Sequence, residues 1–225
     1  MKRVLIGCMA TLLVCLLAGS GFAAKYKPGV YKGSSPGRST KKHPGNIAVE
    51  VTVSEDAITD IKLVEFTQTK DGKHGKLNEQ VKEKIPAAIL EKQSLQIDSV
   101  AKASMASVGL ELAVAQALNE ATVAYKDGKY TGKAKGHNKP PKHPGEIVVE
   151  VTIAGGKISD IQLVTFKQTT VEEKKKQGER NAKAKEQIPA AIIAAQTPAV
   201  DSVAKATMAS DGIKIAVARA LEQAR

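Results

Sequence analysis

Two decapeptides hold most of the chemistry this chain can offer, DSVAKASMAS at residues 98–107 and DSVAKATMAS at 201–210. They differ at one letter, and that letter stays a hydroxyl: Ser104 in the first, Thr207 in the second. Each hydroxyl follows a lysine (Lys102, Lys205) by two residues and an aspartate (Asp98, Asp201) by six. Immediately after come GLELAVAQAL and GIKIAVARAL, in which Ile213, Val217, Ala220 and Leu221 fall on one face at helical spacing. Ser107 and Ser210 sit just ahead of these helices, where an N-cap belongs. A helix start presents unpaired N–H groups and the positive end of a dipole, so with a neighbouring hydroxyl and ammonium it can seat a phosphate. The same residues admit a plainer role, in which Ser104 and Thr207 only satisfy backbone groups in a loop. The sequence offers no matched Ser-His-Asp order, repeated carboxylate pair, phosphate-binding glycine loop or metal-ligand spacing.

The elements that must position these hydroxyls are doubled as well. YKPGVYKG (26–33) matches YKDGKYTG (125–132), KHPGNIAVEVTV (42–53) matches KHPGEIVVEVTI (142–153), and ITDIKLVEFTQT (58–69) matches ISDIQLVTFKQT (158–169). IPAAI recurs at 85 and 188, and the offset between copies grows from 99 to 103, so insertions fall in loops and spare the blocks. IAVEVTV and IVVEVTI alternate apolar and polar residues with β-branched enrichment, the pattern of a half-buried strand, and ITDIKLVEF and ISDIQLVTF do the same. SEDA and AGGK join them as hairpin connections, Gly155-Gly156 suiting a tight turn. Helix-compatible Lys/Glu/Ala-rich stretches follow at 77–92 and about 171–195, with Pro86 and Pro189 each interrupting or starting a helix. The expected fold is α+β: two tandem copies of a small antiparallel sheet packed with helices, one over 25–124 and one over 125–225.

The first 24 residues have a basic start, an apolar run and small residues at the end, the form of a secretory signal peptide. Both cysteines, Cys8 and Cys15, lie within it, so the mature chain has neither disulfides nor thiolate chemistry. A periplasmic or extracellular location follows after cleavage, with membrane anchoring by an uncleaved N-terminus as the alternative. The formal charge of +11 becomes +9 once Lys2 and Arg3 are removed. Export, and the lack of an Arg-rich tract with interleaved aromatics, argue against nucleic acid as partner; the surplus suits solvation and docking to an acidic partner.

Other repeated residues have structural and functional readings side by side. His43 and His143, each in KHPG, can touch a phosphate or simply build a turn. His74 and His137 have no match between repeats and read as solvent-facing residues of basic loops. Tyr31 and Tyr130 can stack on a ring system or pack the core. Asp60 and Asp160 fall at outward strand positions.

In the order Tyr-x-x-Gly-x-Tyr-x-Gly, strand, ITDI/ISDI strand, Ile-Pro, Asp-x-x-x-x-Ala-Ser/Thr, Ser, Gly-Leu/Ile, the mature chain resembles two tandem domains of the FMN-binding family. That family occurs in subunits of sodium-pumping NADH:quinone reductase and Rnf complexes and in flavin modules of fumarate-reductase-like enzymes. Its attachment motif is Asp-x-x-Ser/Thr-Gly-Ala-Thr/Ser, whose last hydroxyl carries FMN through a phosphoester installed by a transferase that uses FAD. The resemblance implies acceptors at Ser104 and Thr207 and motif aspartates at Asp98 and Asp201; Lys102, Lys205, Ser107 and Ser210 complete the expected cofactor-binding set. Where the family has Ser/Thr-Gly, this chain has Ala101-Lys102 and Ala204-Lys205, a change that matters if the glycine needs a positive φ. The implied protein is an electron carrier, not an enzyme, served by a flavin transferase and by membrane or periplasmic redox proteins. The alternative is a flavin-free or non-covalent module of the same fold that docks an anionic partner.

Overall fold

The computed structural model describes residues 24–38, 45–70, 72–136 and 144–225. The apolar leader and His43, His137 and His143 lie outside the described residues. The elements run β1 (Gly29–Ser35), β2 (Ile47–Val53), β3 (Ile58–Phe66), α1 (Gly72–Lys92), α2 (Ser104–Ala121), β4 (Gly128–Lys135), β5 (Glu146–Ala154), β6 (Lys157–Phe166), α3 (Lys175–Ala195) and α4 (Thr207–Gln223). The fold is thus the expected one: two three-stranded antiparallel sheets in the orders β1-β2-β3 and β4-β5-β6, each with two helices.

Alternation decides which face of each sheet is covered. Ile47, Val49, Val51 and Val53 are buried along β2, while Ala48, Glu50 and Thr52 between them stay partly open. Helix α2 lies over β1 and β2, and α4 over β4 and β5, joining strand and helix residues in two apolar cores. The β5–β6 hairpin turns on Gly155 and Gly156, whose φ values of +60° and +71° suit a primed turn. The Asp127 carboxylate accepts both their N–H groups at 2.9 and 2.8 Å.

Both prolines depart from expectation. Helices α1 and α3 run unbroken past Pro86 and Pro189. Ile85 and Ile89, and Ile188 and Ile192, bury one face of each helix around the proline, which is itself buried. The carbonyls deprived of a helical partner belong to Lys82 and Lys185, residues at least partly open to solvent, so apolar burial outweighs one lost bond. Each helix then ends in a left-handed glutamine, Gln93 (φ 50°) or Gln196 (φ 56°). Their amides pair with the main chain of Ile58 and Ile158: Ile58 N–H donates to Gln93 Oε1 at 2.7 Å and Gln93 Nε2 donates to Ile58 O at 2.8 Å. The second repeat does the same at 2.8 and 2.9 Å.

The repeats meet along α2 and α4. Arg219 of α4 is the central tie. Its guanidinium donates to the carbonyls of Leu95 (2.9 Å), Ile97 (3.0 Å) and Lys133 (3.0 Å) and lies 2.8 Å from the buried Glu111 carboxylate. The repeat puts Gln116 and Lys214 at the corresponding places. Gln116 accepts from Ser34 N–H at 2.8 Å, and Lys214 pairs with Asp211 of its own helix at 2.9 Å. The two halves of the interface are therefore chemically different.

Candidate functional site

Helices α2 and α4 begin at Ser104 and Thr207 themselves, with Ala103 and Ala206 in the cap positions and no side-chain cap bond at either. The hydroxyls are thus on the first helical residue rather than in the loop ahead of it. Ser107 and Ser210 are not N-caps. They are fully buried in the first turn, where Ser107 Oγ accepts from Val100 N–H at 3.0 Å and donates to Ala103 O at 3.1 Å. Ser210 makes the same pair with Val203 and Ala206 at 3.1 and 3.0 Å. A serine that reaches back seven residues to close its loop carries the same composition signal as a cap, hence the different placement. Both hydroxyls face inward and are occupied by the main chain.

The turn before each of these hydroxyls has one decisive feature. Lys102 and Lys205 adopt φ of 67° and 63°, the left-handed region that glycine occupies without steric cost. An L-residue there costs about 1 kcal/mol. Gln93 and Gln196, the other non-glycine residues in this conformation among the described residues, gain side-chain bonds to the neighbouring strand; the exposed ammoniums of Lys102 and Lys205 make none. Replacing either lysine by glycine is expected to stabilise the fold by roughly 0.5–1 kcal/mol, read by urea unfolding, whereas alanine brings no gain.

In the first repeat Ser104 and Lys102 open onto a cleft of about 210 Å³ whose polar lining includes Arg38, Gln68, His74 and Asn78. Among the described residues no carboxylate lines it. Gln68 shapes one wall: its Oε1 accepts from Arg38 N–H at 2.9 Å and its Nε2 donates to Pro36 O at 3.3 Å. Asn78 Nδ2 donates to Thr69 O at 2.8 Å, and Asn181 repeats that bond to Thr169 O at 2.9 Å. His74 sits in the first turn of α1, not in a loop, and is exposed on the cleft.

The aspartates are not gathered here. Asp98 is exposed in a separate groove with Lys84 and Lys92, and Asp201 lines a groove between the repeats with Gln116 and Lys214. Tyr31 and Tyr130 are half-buried against the cores, their hydroxyls donating to Lys27 O at 2.9 Å and Lys126 O at 3.0 Å. Among the described residues no group of three His, Cys, Asp or Glu side chains is placed to hold a metal, and no helix is long and apolar enough to cross a membrane.

Residue types alone passed over Arg38, Gln68 and Asn78. Gln68/Gln168 and Asn78/Asn181 recur between the repeats, which is the signal that finds them. Arg38 and His74 face different residues in the second copy, so matching hides them. A cleft with two cations, an imidazole and neutral amides, opening on a hydroxyl, fits the phosphate end of a flavin mononucleotide.

No match to a curated protein was found. The family model described as FMN-binding domain matches the chain twice, over residues 43–119 and 143–222; each match holds two of the three strands of one sheet (β2 and β3, or β5 and β6), the two helices nearly to their ends, and Ser104 or Thr207. With FMN as its cofactor, this chain belongs to the FMN-binding domain family, as two copies in tandem.

Proposed function

We propose that the chain is an exported electron carrier with one FMN per repeat, joined by phosphoester to Ser104 and Thr207. The observation that carries this is the backbone at Lys102 and Lys205. Both hold the left-handed conformation that glycine adopts without steric cost, so the lysines leave a turn that the motif's glycine would also fit. The flavin supplies the electron chemistry when bound. The residues of the chain hold and orient it. Ser104 and Thr207 would give the anchoring oxygens, and the first-turn N–H groups of α2 and α4, which no side chain caps, would be available to its phosphate. Lys102 and Arg38 offset its charge in the first repeat, while Gln68 and Asn78 hold the walls. The net positive surface favours acidic redox partners at the membrane or in the periplasm, in contacts that weaken with salt.

The test is the intact mass of denatured protein made in a host that co-expresses a flavin transferase. Two FMN adducts are expected, with one lost in Ser104→Ala and the other in Thr207→Ala. A bare chain mass overturns the covalent reading. A yellow native sample of bare mass would then identify a non-covalent flavin protein, and a colourless one the anion-docking module.

A further inference from the structure

The two acceptors stand in different surroundings, and the difference can be traced to one position. The 103-residue shift that relates Lys102 to Lys205 and Asn78 to Asn181 also relates His74 to Gln177. In the second repeat Gln177 Nε2 donates to Asn181 Oδ1 at 3.0 Å and to the main-chain carbonyl of Lys205 at 3.3 Å. Asn181 in turn donates to Thr169 O at 2.9 Å. A chain of amides thus runs from the end of β6, through α3, to the left-handed turn that presents Thr207. In the first repeat the Asn78–Thr69 bond is kept at 2.8 Å, but an imidazole stands where the amide would close the chain, and it lies exposed on the cleft. Two further observations point the same way. Helix α3 packs against α4 more extensively than α1 packs against α2. Ser104 is exposed, whereas Thr207 is half-buried.

We infer that Gln177 is a latch on the second acceptor turn, so that Ser104 is loaded with flavin before Thr207. The inference rests on the covalent reading proposed above and concerns how the chain presents its two hydroxyls. In the transfer, the hydroxyl oxygen attacks the flavin-side phosphorus of FAD and the P–O bond to the adenylate half breaks. AMP leaves, the hydroxyl proton is released, and the flavin phosphate remains as a diester. No electrons change hands. A transferase must bring the pyrophosphate against the hydroxyl, and an anionic pyrophosphate meets Arg38 and Lys102 on the cleft of the first repeat. In the second it must first part the Gln177–Lys205 contact, a single long hydrogen bond whose loss slows the step by about 5-fold.

The experiment follows adduct formation at each residue by peptide mass mapping, on flavin-free full-length chain incubated with transferase and FAD. Ser104 is expected to be modified about 5-fold faster than Thr207. Gln177→Ala and Gln177→His should each bring Thr207 up toward the rate of Ser104 without changing Ser104, and His74→Gln should slow Ser104. Thr207→Ser should stay slow, because the latch and not the type of hydroxyl sets the rate. Equal rates in the wild-type chain overturn the latch, as do Gln177 variants that leave Thr207 unchanged or a Thr207→Ser chain that matches Ser104. Absence of any adduct in every sample instead overturns the covalent reading, and the latch with it.

Discussion

Arg219→Gln is expected to cost about 3–5 kcal/mol of folding stability at pH 8, a fall of roughly 10 °C in Tm, and clearly less at pH 5. Arg219 ties four groups from both repeats, three main-chain carbonyls and the Glu111 carboxylate, and glutamine cannot reach them all. Glu111 is 2 % exposed, so the loss leaves a carboxylate buried without its counter-charge. Burial already pushes Glu111 from 4.5 up to about 7, a rise that the Arg219 guanidinium opposes only in part. The sign follows from proton counts. Between 4.5 and about 7 the folded chain keeps a proton that the unfolded chain has released, so this group's contribution to stability is greatest below 4.5 and declines as pH rises through 7. Without the guanidinium the carboxyl rises further and the decline extends to higher pH. The deficit of the variant should therefore widen from pH 5 to pH 8 in urea unfolding. A deficit independent of pH would mean that the carbonyl bonds, not the ion pair, are what Arg219 contributes. Glu111→Gln/Arg219→Gln should recover part of the loss, because no charge is then left buried.

How much of this was legible in the sequence depends on whether the signal was periodic or local. The strands were, because Ile47, Val49, Val51 and Val53 must share one face for the sheet to cover a core. The hairpin at Gly155-Gly156 was, because two successive positive φ values all but demand glycine. The course of α1 and α3 through Pro86 and Pro189 was not: a proline is a strong local signal, and the burial of Ile85 and Ile89 around it is visible only once the helix lies on its partner. The start of α2 and α4 was misplaced for a related reason. Their caps are alanines, and the serines that look like caps work from inside the turn. Of the expected site residues, the structure brings Lys102 and Ser104 to one cleft, turns Ser107 and Ser210 inward and leaves Asp98 and Asp201 outside it. The left-handed conformation at Lys102 and Lys205 has no propensity signal at all. It was foreseeable only from the glycine that stands there in the family's motif, a residue that takes this conformation without steric cost.

Gly132→Ala should lower stability by at least about 3 kcal/mol, and Gly33→Ala by a similar amount, although alanine elsewhere is a mild change in a strand. A Cβ on Gly132 would stand 1.8 Å from the carbonyl oxygen of Ala216, and one on Gly33 would stand 1.8 Å from that of Ala113. The obstacle is helix backbone, which has no rotamer to change, so strand and helix must part. They are the layers that fix α2 and α4, and with them the turns that carry Ser104 and Thr207. Gly29→Ala is the control on the same strand as Gly33: its Cβ would meet only the side chain of Tyr31, at 3.3 Å, and a change within about 0.5 kcal/mol is expected. Thermal unfolding with hydrogen exchange reads both the size and the reach of the damage. Because Arg219 and Glu222 join α4 to the segment 94–97 of the first repeat, loosening one unit should loosen the other, and each variant should melt in a single transition. Two transitions in Gly132→Ala, with the first repeat still protected from exchange, would show that the repeats fold independently and that the Arg219 ties do not transmit stability between them.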